Sequence, residues 1–130
     1  MFYRRMRIFK TKWFNRWAAK EGLTEAVLRT AAVELEQGLG DALGGYVYKK
    51  RIALPGRGKR GGARTLIAYR SGHVMFFIYG FPKNERDTIE SDELKALRLL
   101  AKELLGYGTQ DLAKAVEAGE LTEVSGNGKA

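Results

Sequence analysis

The chain has 130 residues and no cysteine, and its 23 Lys and Arg against 15 Asp and Glu leave a net charge of +8 with a pI near 9.8. That length suits one domain with its own core; the missing cysteine excludes disulfides, thiolate metal sites and a thiol nucleophile, and no apolar run reaches the roughly 18 residues that cross a bilayer. The charge is patterned: residues 1–20 carry +7, 21–45 carry −4, 46–70 carry +8 and 71–130 carry −3, an excess that points to nucleic acid or an acidic partner.

Arg5 to Lys10 alternates Met6 and Ile8 against Arg5 and Arg7, which predicts a short amphipathic strand over 6–11 behind an overhang. The same stretch is Arg-rich and acid-free, as transit peptides are, but the alternation favours the strand. Thr11 is placed to cap a helix in which Trp13, Phe14, Trp17 and Ala18 recur at three and four and which ends before Gly22. Both tryptophans are expected to pack inward. Thr24 opens a second helix, with Glu25 at its positive end, an apolar stripe of Leu28, Ala31 and Leu35, and Gly38 as its stop. The resulting hairpin carries Glu25, Glu34 and Glu36 outward and reads as scaffold.

Leu39 to Gly45 reads as a turn, and Tyr46 to Ala53 as a strand alternating Tyr46, Tyr48, Lys50 and Ile52 against Val47, Lys49, Arg51 and Ala53. Pro55 and the glycines up to Gly62 make a loop before a strand over Ala63 to Tyr69. Arg70-Ser71-Gly72 reverses the chain into its most apolar strand, His73 to Phe81. There Val74, Phe76 and Ile78 face one side and Met75, Phe77 and Tyr79 the other, so it belongs mid-sheet. Pro82 is expected to break that strand, and Lys83 to Asp87 to form a charged turn. Ser91 is the expected cap of a third helix with Leu94, Leu97, Leu100, Ala101 and Leu104 on one face. Thr109 to Ala118 is a final helix, and 125–130 a frayed tail. The fold class is α+β: an N-terminal strand and helical hairpin packed on a small, mainly antiparallel twisted sheet, with C-terminal helices, as one domain over 1–130.

Between Tyr46 and Arg70 stand eight cations and no carboxylate. Gly56-x-Gly58-x-x-Gly61 has the spacing of a dinucleotide fingerprint, but it leads into a strand rather than a helix, with no acidic residue following at the required distance. The loop instead offers Arg57, Lys59 and Arg60 to a phosphate backbone. With a single histidine and no cysteine, only carboxylates remain as metal ligands, and Glu85, Asp87, Glu90, Asp92 and Glu93 are explained by helix-start electrostatics. Neither metal nor cofactor is expected. His73 has no serine partner in a nucleophile setting, since Ser71, Ser91 and Ser125 all lack one; a general-base role is its alternative to an edge or core position. RNA cleavage needs less machinery, because the ribose 2′-hydroxyl is itself the nucleophile and clustered cations stabilise the charge that develops on phosphorus. A lysine among other cations is a feasible base.

From MRIFKTKWF through KKRIALPGRGKRGGARTLIAYR and FFIYGFPKNERD to ESDELKALRLLAKELL, the chain resembles the toxins of the RelE/ParE toxin-antitoxin group, especially the RelE-like and HigB-like branch. The resemblance implies a cytoplasmic, metal-independent endoribonuclease that cuts messenger RNA on the ribosome and is neutralised by a cognate antitoxin. It also implies residue roles: Lys49, Lys50 and Arg51 near the scissile phosphate, Arg64 on phosphate, and Lys83 and Arg86 in the basic turn beside Asn84. Asn84 stands where many RelE-like members have arginine and Glu90 where they have tyrosine, and the HigB-like histidines have no evident counterpart, so the general acid is open between Glu90, Lys83 and a distant tyrosine. Two other readings remain open: a ParE-like topoisomerase inhibitor without nuclease activity, and a noncatalytic RNA- or DNA-binding module.

Overall fold

The computed structural model describes residues 6–54, 62–72 and 74–125. Among these, strand β1 (Arg7–Thr11) leads into helix α1 (Lys12–Glu21) and helix α2 (Glu25–Glu36). Strands β2 (Asp41–Ala42), β3 (Val47–Ile52), β4 (Ala63–Tyr69) and β5 (Val74–Pro82) follow, then helices α3 (Ser91–Leu105) and α4 (Thr109–Glu117) and strand β6 (Leu121–Glu123). The six strands form one sheet in the order β2-β3-β4-β5-β1-β6. Only β1 with β5 is parallel; the other pairings are antiparallel. The α+β architecture expected from the sequence is therefore present, and the apolar strand β5 lies inside the sheet.

Local chemistry sets the helix ends. The Thr11 hydroxyl accepts from the Phe14 N–H at 3.2 Å and the Thr24 hydroxyl from the Val27 N–H at 3.2 Å, each satisfying a donor that the first turn leaves free. α1 stops because Gly22 turns left-handed at φ 79, a conformation that side chains resist. Ser91 is not the cap of α3. Glu90 holds that position, and the Glu93 carboxylate accepts from its N–H at 3.0 Å.

The sheet separates two cores. Phe14, Ala18, Leu28, Ala31 and Leu35 of the hairpin pack on Ile8, Ile52, Ile67, Met75 and Phe77, while Leu97, Ala101, Leu104, Leu112 and Ala115 pack on Phe9, Val47, Leu66, Phe76 and Phe81. Burying each such large side chain contributes about 1.5–3 kcal/mol relative to exposure.

Four further expectations need correction. Trp13 does not pack inward; it is 45% exposed, although Trp17 does meet the hairpin core. Part of the turn over Leu39–Gly45 is the short edge strand β2, and β6 has no expected counterpart: both are too short to show an alternation. Pro82 does end β5, but from within it, as the strand's last residue opposite Ala63 rather than the first residue beyond it. Tyr79 does not share a face with Phe77, because the ladder slips between Leu66 and Ile67, so that Leu66 pairs with Tyr79 while Ile67 pairs with Phe77. The bulge at Ile78 brings Tyr79 to the α3 side of the sheet.

Candidate functional site

β-strand alternation puts Lys49 and Arg51 on the same side of β3, and Lys50 on the other. Lys50 is engaged there: its ammonium lies 2.8 Å from Glu34 of α2. The hairpin carboxylates thus take one of the three clustered cations of β3 away from the others. Across the ladder, Arg51 stands opposite Arg64, and Arg64 opposite Phe81. The next rung on that side runs Asp41, Lys49, Leu66 and Tyr79. Two arginines directly opposite each other are unfavourable in a free sheet, and an anion seated between them relieves that repulsion.

Arg64 is 5% exposed, an unusual burial for a guanidinium. Its Nη2 donates to Asp87 at 3.0 Å, while its Nε is buried without a hydrogen-bond partner. Arg86 lies with its guanidinium carbon 4.6 Å from the centre of the Phe81 ring and 5.9 Å from that of Tyr79. Both carboxylate oxygens of Glu93 accept from its Nη2, at 2.8 and 2.9 Å, and its Nε too is buried and unpartnered. The guanidinium is thus fixed between a carboxylate and an aromatic floor. The Glu90 N–H, followed by Arg86 and the Tyr79 hydroxyl, holds the Glu93 carboxyl below its ordinary pKa, and the Glu93 hydrogen bond holds Arg86 above its own.

The aromatic floor continues beyond the sheet. The Tyr79 ring lies 6.3 Å from Phe81 and 4.6 Å from Trp13, and Trp13 stacks on Trp17 at 6.0 Å and 13°. α1 can approach this closely because the strand opposite Trp17 carries Gly80, where a Cβ would sit 2.5 Å from the indole. Tyr79, Phe81 and Trp13 are site neighbours that no residue pattern announced. Their signal, Gly80 between two aromatics, acquires meaning only once the bulge sets their facing.

Lys83 and Asn84 are exposed on the turn after β5, and the Lys83 N–H donates to the Gly62 carbonyl at 2.8 Å, which ties that turn to the start of β4. Lys49, Arg51, Arg64, Lys83 and Arg86 therefore come from one end of the sheet. Glu90 is exposed at the N-cap position of α3, and its side chain makes no capping hydrogen bond. Arg57, Lys59, Arg60 and His73 lie outside the described residues, as does the tail beyond Ser125. Among the described residues no three His, Cys, Asp or Glu side chains are grouped to hold a metal, and no helix is long and apolar enough to cross a membrane.

No curated protein matches the chain. A family model described as the RelE toxin of the RelE / RelB toxin-antitoxin system matches residues 6–124. With that match over most of its length, and with the strand, hairpin and sheet that carry it now described, the chain belongs to the RelE toxin family.

Proposed function

We propose that this toxin is a cytoplasmic, ribosome-dependent messenger RNA endoribonuclease, acting as a single domain without metal and silenced by its cognate antitoxin. The observation that carries the reading is the rung Arg51–Arg64–Phe81 with Arg86 seated over Phe81. It holds three guanidinium groups at one end of a sheet, two of them with buried, unpartnered Nε donors.

In this mechanism the ribose 2′-oxygen attacks the adjacent phosphorus, the bond to the 5′-oxygen of the next nucleotide breaks, and a 2′,3′-cyclic phosphate and a 5′-hydroxyl result. Arg64 and Arg86 donate to the non-bridging oxygens as their negative charge grows, the preorganised stabilisation that contributes most where water is excluded. Arg51 holds the substrate phosphate in line for attack. The 2′-hydroxyl proton passes to the Lys49 nitrogen, and Lys83 gives a proton to the leaving 5′-oxygen. Arg57, Lys59, Arg60 and Asn84 add contacts to the RNA backbone on either side.

Expression of the wild-type chain and of an Arg64→Ala/Lys83→Ala variant in bacteria tests the assignment. Growth arrest with transcripts cut at ribosome-positioned codons is expected for the wild type alone. Equal arrest and equal cleavage by both would remove these residues from the mechanism, and arrest with intact transcripts and a DNA-damage response would favour topoisomerase inhibition instead.

A further inference from the structure

A second cationic surface lies at the opposite end of the sheet from the arginine rung, where β3 begins and β4 ends. A cavity of about 470 Å³ opens there between α3 and the chain before β3, lined by Gly45, Tyr46, Arg70 and the α3 residues Lys95, Arg98, Leu99, Lys102 and Leu105. Four of these side chains are cationic and none is acidic. Lys95, Arg98, Leu99 and Lys102 recur at helical spacing, so they form one stripe along α3.

The surface is built rather than incidental. Tyr46 has φ 66, the only non-glycine residue with positive φ among the described residues, and such a conformation persists only when neighbours enforce it. The Arg70 guanidinium stacks 5.5 Å over the Tyr46 ring. Arg98 donates to the Leu43 carbonyl and lies across Gly44 and Gly45; a Cβ on Gly45 would meet Arg98 Cγ at 2.8 Å. Between these fixed groups Leu99 is 65% exposed and Tyr46 49%, so apolar surface is left in water within a frame of cations.

We propose that this groove receives an acidic amphipathic helix of the cognate antitoxin, its apolar side chains on Tyr46, Leu99 and Leu105 and its carboxylates on Arg70, Lys95, Arg98 and Lys102. The antitoxin as partner rests on membership of the toxin family, whereas the location and chemistry of the contact rest on the groove. An RNA backbone would satisfy the four cations but has nothing to cover an exposed leucine, while an apolar centre ringed by charge is the anatomy of a protein interface. The stripe from Lys95 to Lys102 spans about 10 Å at 1.5 Å per residue, enough for roughly two turns of a partner helix. Since the arginine rung lies at the other end of the sheet, the antitoxin gains an anchor that leaves the RNA-cleaving groups unmodified in sequence and geometry.

The test measures antitoxin affinity by biolayer interferometry for full-length toxin carrying Leu99→Asp, or Arg98→Glu/Lys102→Glu, beside a Lys20→Glu/Lys114→Glu control of equal charge change away from the groove. Antitoxin binding weaker by about 30-fold or more is expected for both groove variants, with the control within about twofold of wild type. Leu99→Asp alters an exposed side chain, so its thermal midpoint reports whether it folds, and it keeps the test sound if the Arg98 change disturbs Gly44 and Gly45. Growth arrest by the free Leu99→Asp toxin reports separately on the nuclease proposal. Antitoxin affinity within twofold of wild type for both groove variants overturns the inference, and if ribosome binding falls at the same time, the surface belongs to RNA.

Discussion

Replacing Arg64 with methionine separates a functional arginine from a structural one. The Arg64 side chain is 6% exposed and faces a single carboxylate at 3.0 Å, that of Asp87, which is itself 65% exposed. One charge-assisted hydrogen bond of this kind is worth about 1.5–3 kcal/mol. Against it stand several kcal/mol of desolvation for the buried cation, an unpartnered Nε, and repulsion from Arg51 across the ladder. An apolar side chain of similar length removes all of these together, so Arg64→Met should leave unfolding free energy within about 1 kcal/mol of wild type in urea titrations. Cleavage should nevertheless fall by about 10²–10³-fold, the loss expected when a preorganised donor to a developing charge disappears. The assay is primer extension on messenger RNA held in purified programmed ribosomes, on protein whose fold is checked by circular dichroism. Two results refute the reasoning: cleavage within about threefold of wild type, or a stability loss above about 3 kcal/mol that tracks the loss of activity, which would make Arg64 a structural residue.

Glu93→Gln should loosen Arg86 from its seat and lower cleavage by roughly 10-fold or more, read in the same ribosome assay. The Glu93 carboxyl is held below its ordinary value in the folded protein, so its contribution to stability is present above the unfolded pKa of about 4.3 and is lost as pH falls through the lower folded value; acid titration of Glu93→Gln should show a smaller loss in that range. Gly80→Ala places a Cβ 2.5–3.0 Å from three ring atoms of Trp17, and the displaced indole should lower stability by about 1–3 kcal/mol, seen as an earlier thermal transition. Thr11→Ala removes the acceptor of the Phe14 N–H and should cost about 1 kcal/mol by the same measurement.

The helices were legible because their determinants are local. Thr11 and Thr24 each lie beside the N–H they satisfy, and Gly22 supplies the left-handed stop from within its own turn. The same locality explains Lys49 and Arg51 on one side of β3 and Lys50 on the other, since alternation is a property of any extended chain. Arg86 pairs with Glu93, seven residues on and in the first turn of α3.

What residue order alone determined was the cation-rich, acid-free segment from Tyr46 to Arg70, the order of helices and main strands, and the α+β class, all set by composition and short periods. Tertiary structure decided which cations meet. The register that sets Arg51 against Arg64 across a glycine-rich connection, the bulge that turns Tyr79 and Phe81 together onto the face away from Phe77, and the ion pair that draws Lys50 toward Glu34 depend on contacts between residues distant in the chain. A one-residue slip in either ladder would send these side chains to the opposite face, and no local pattern of residues specifies that choice.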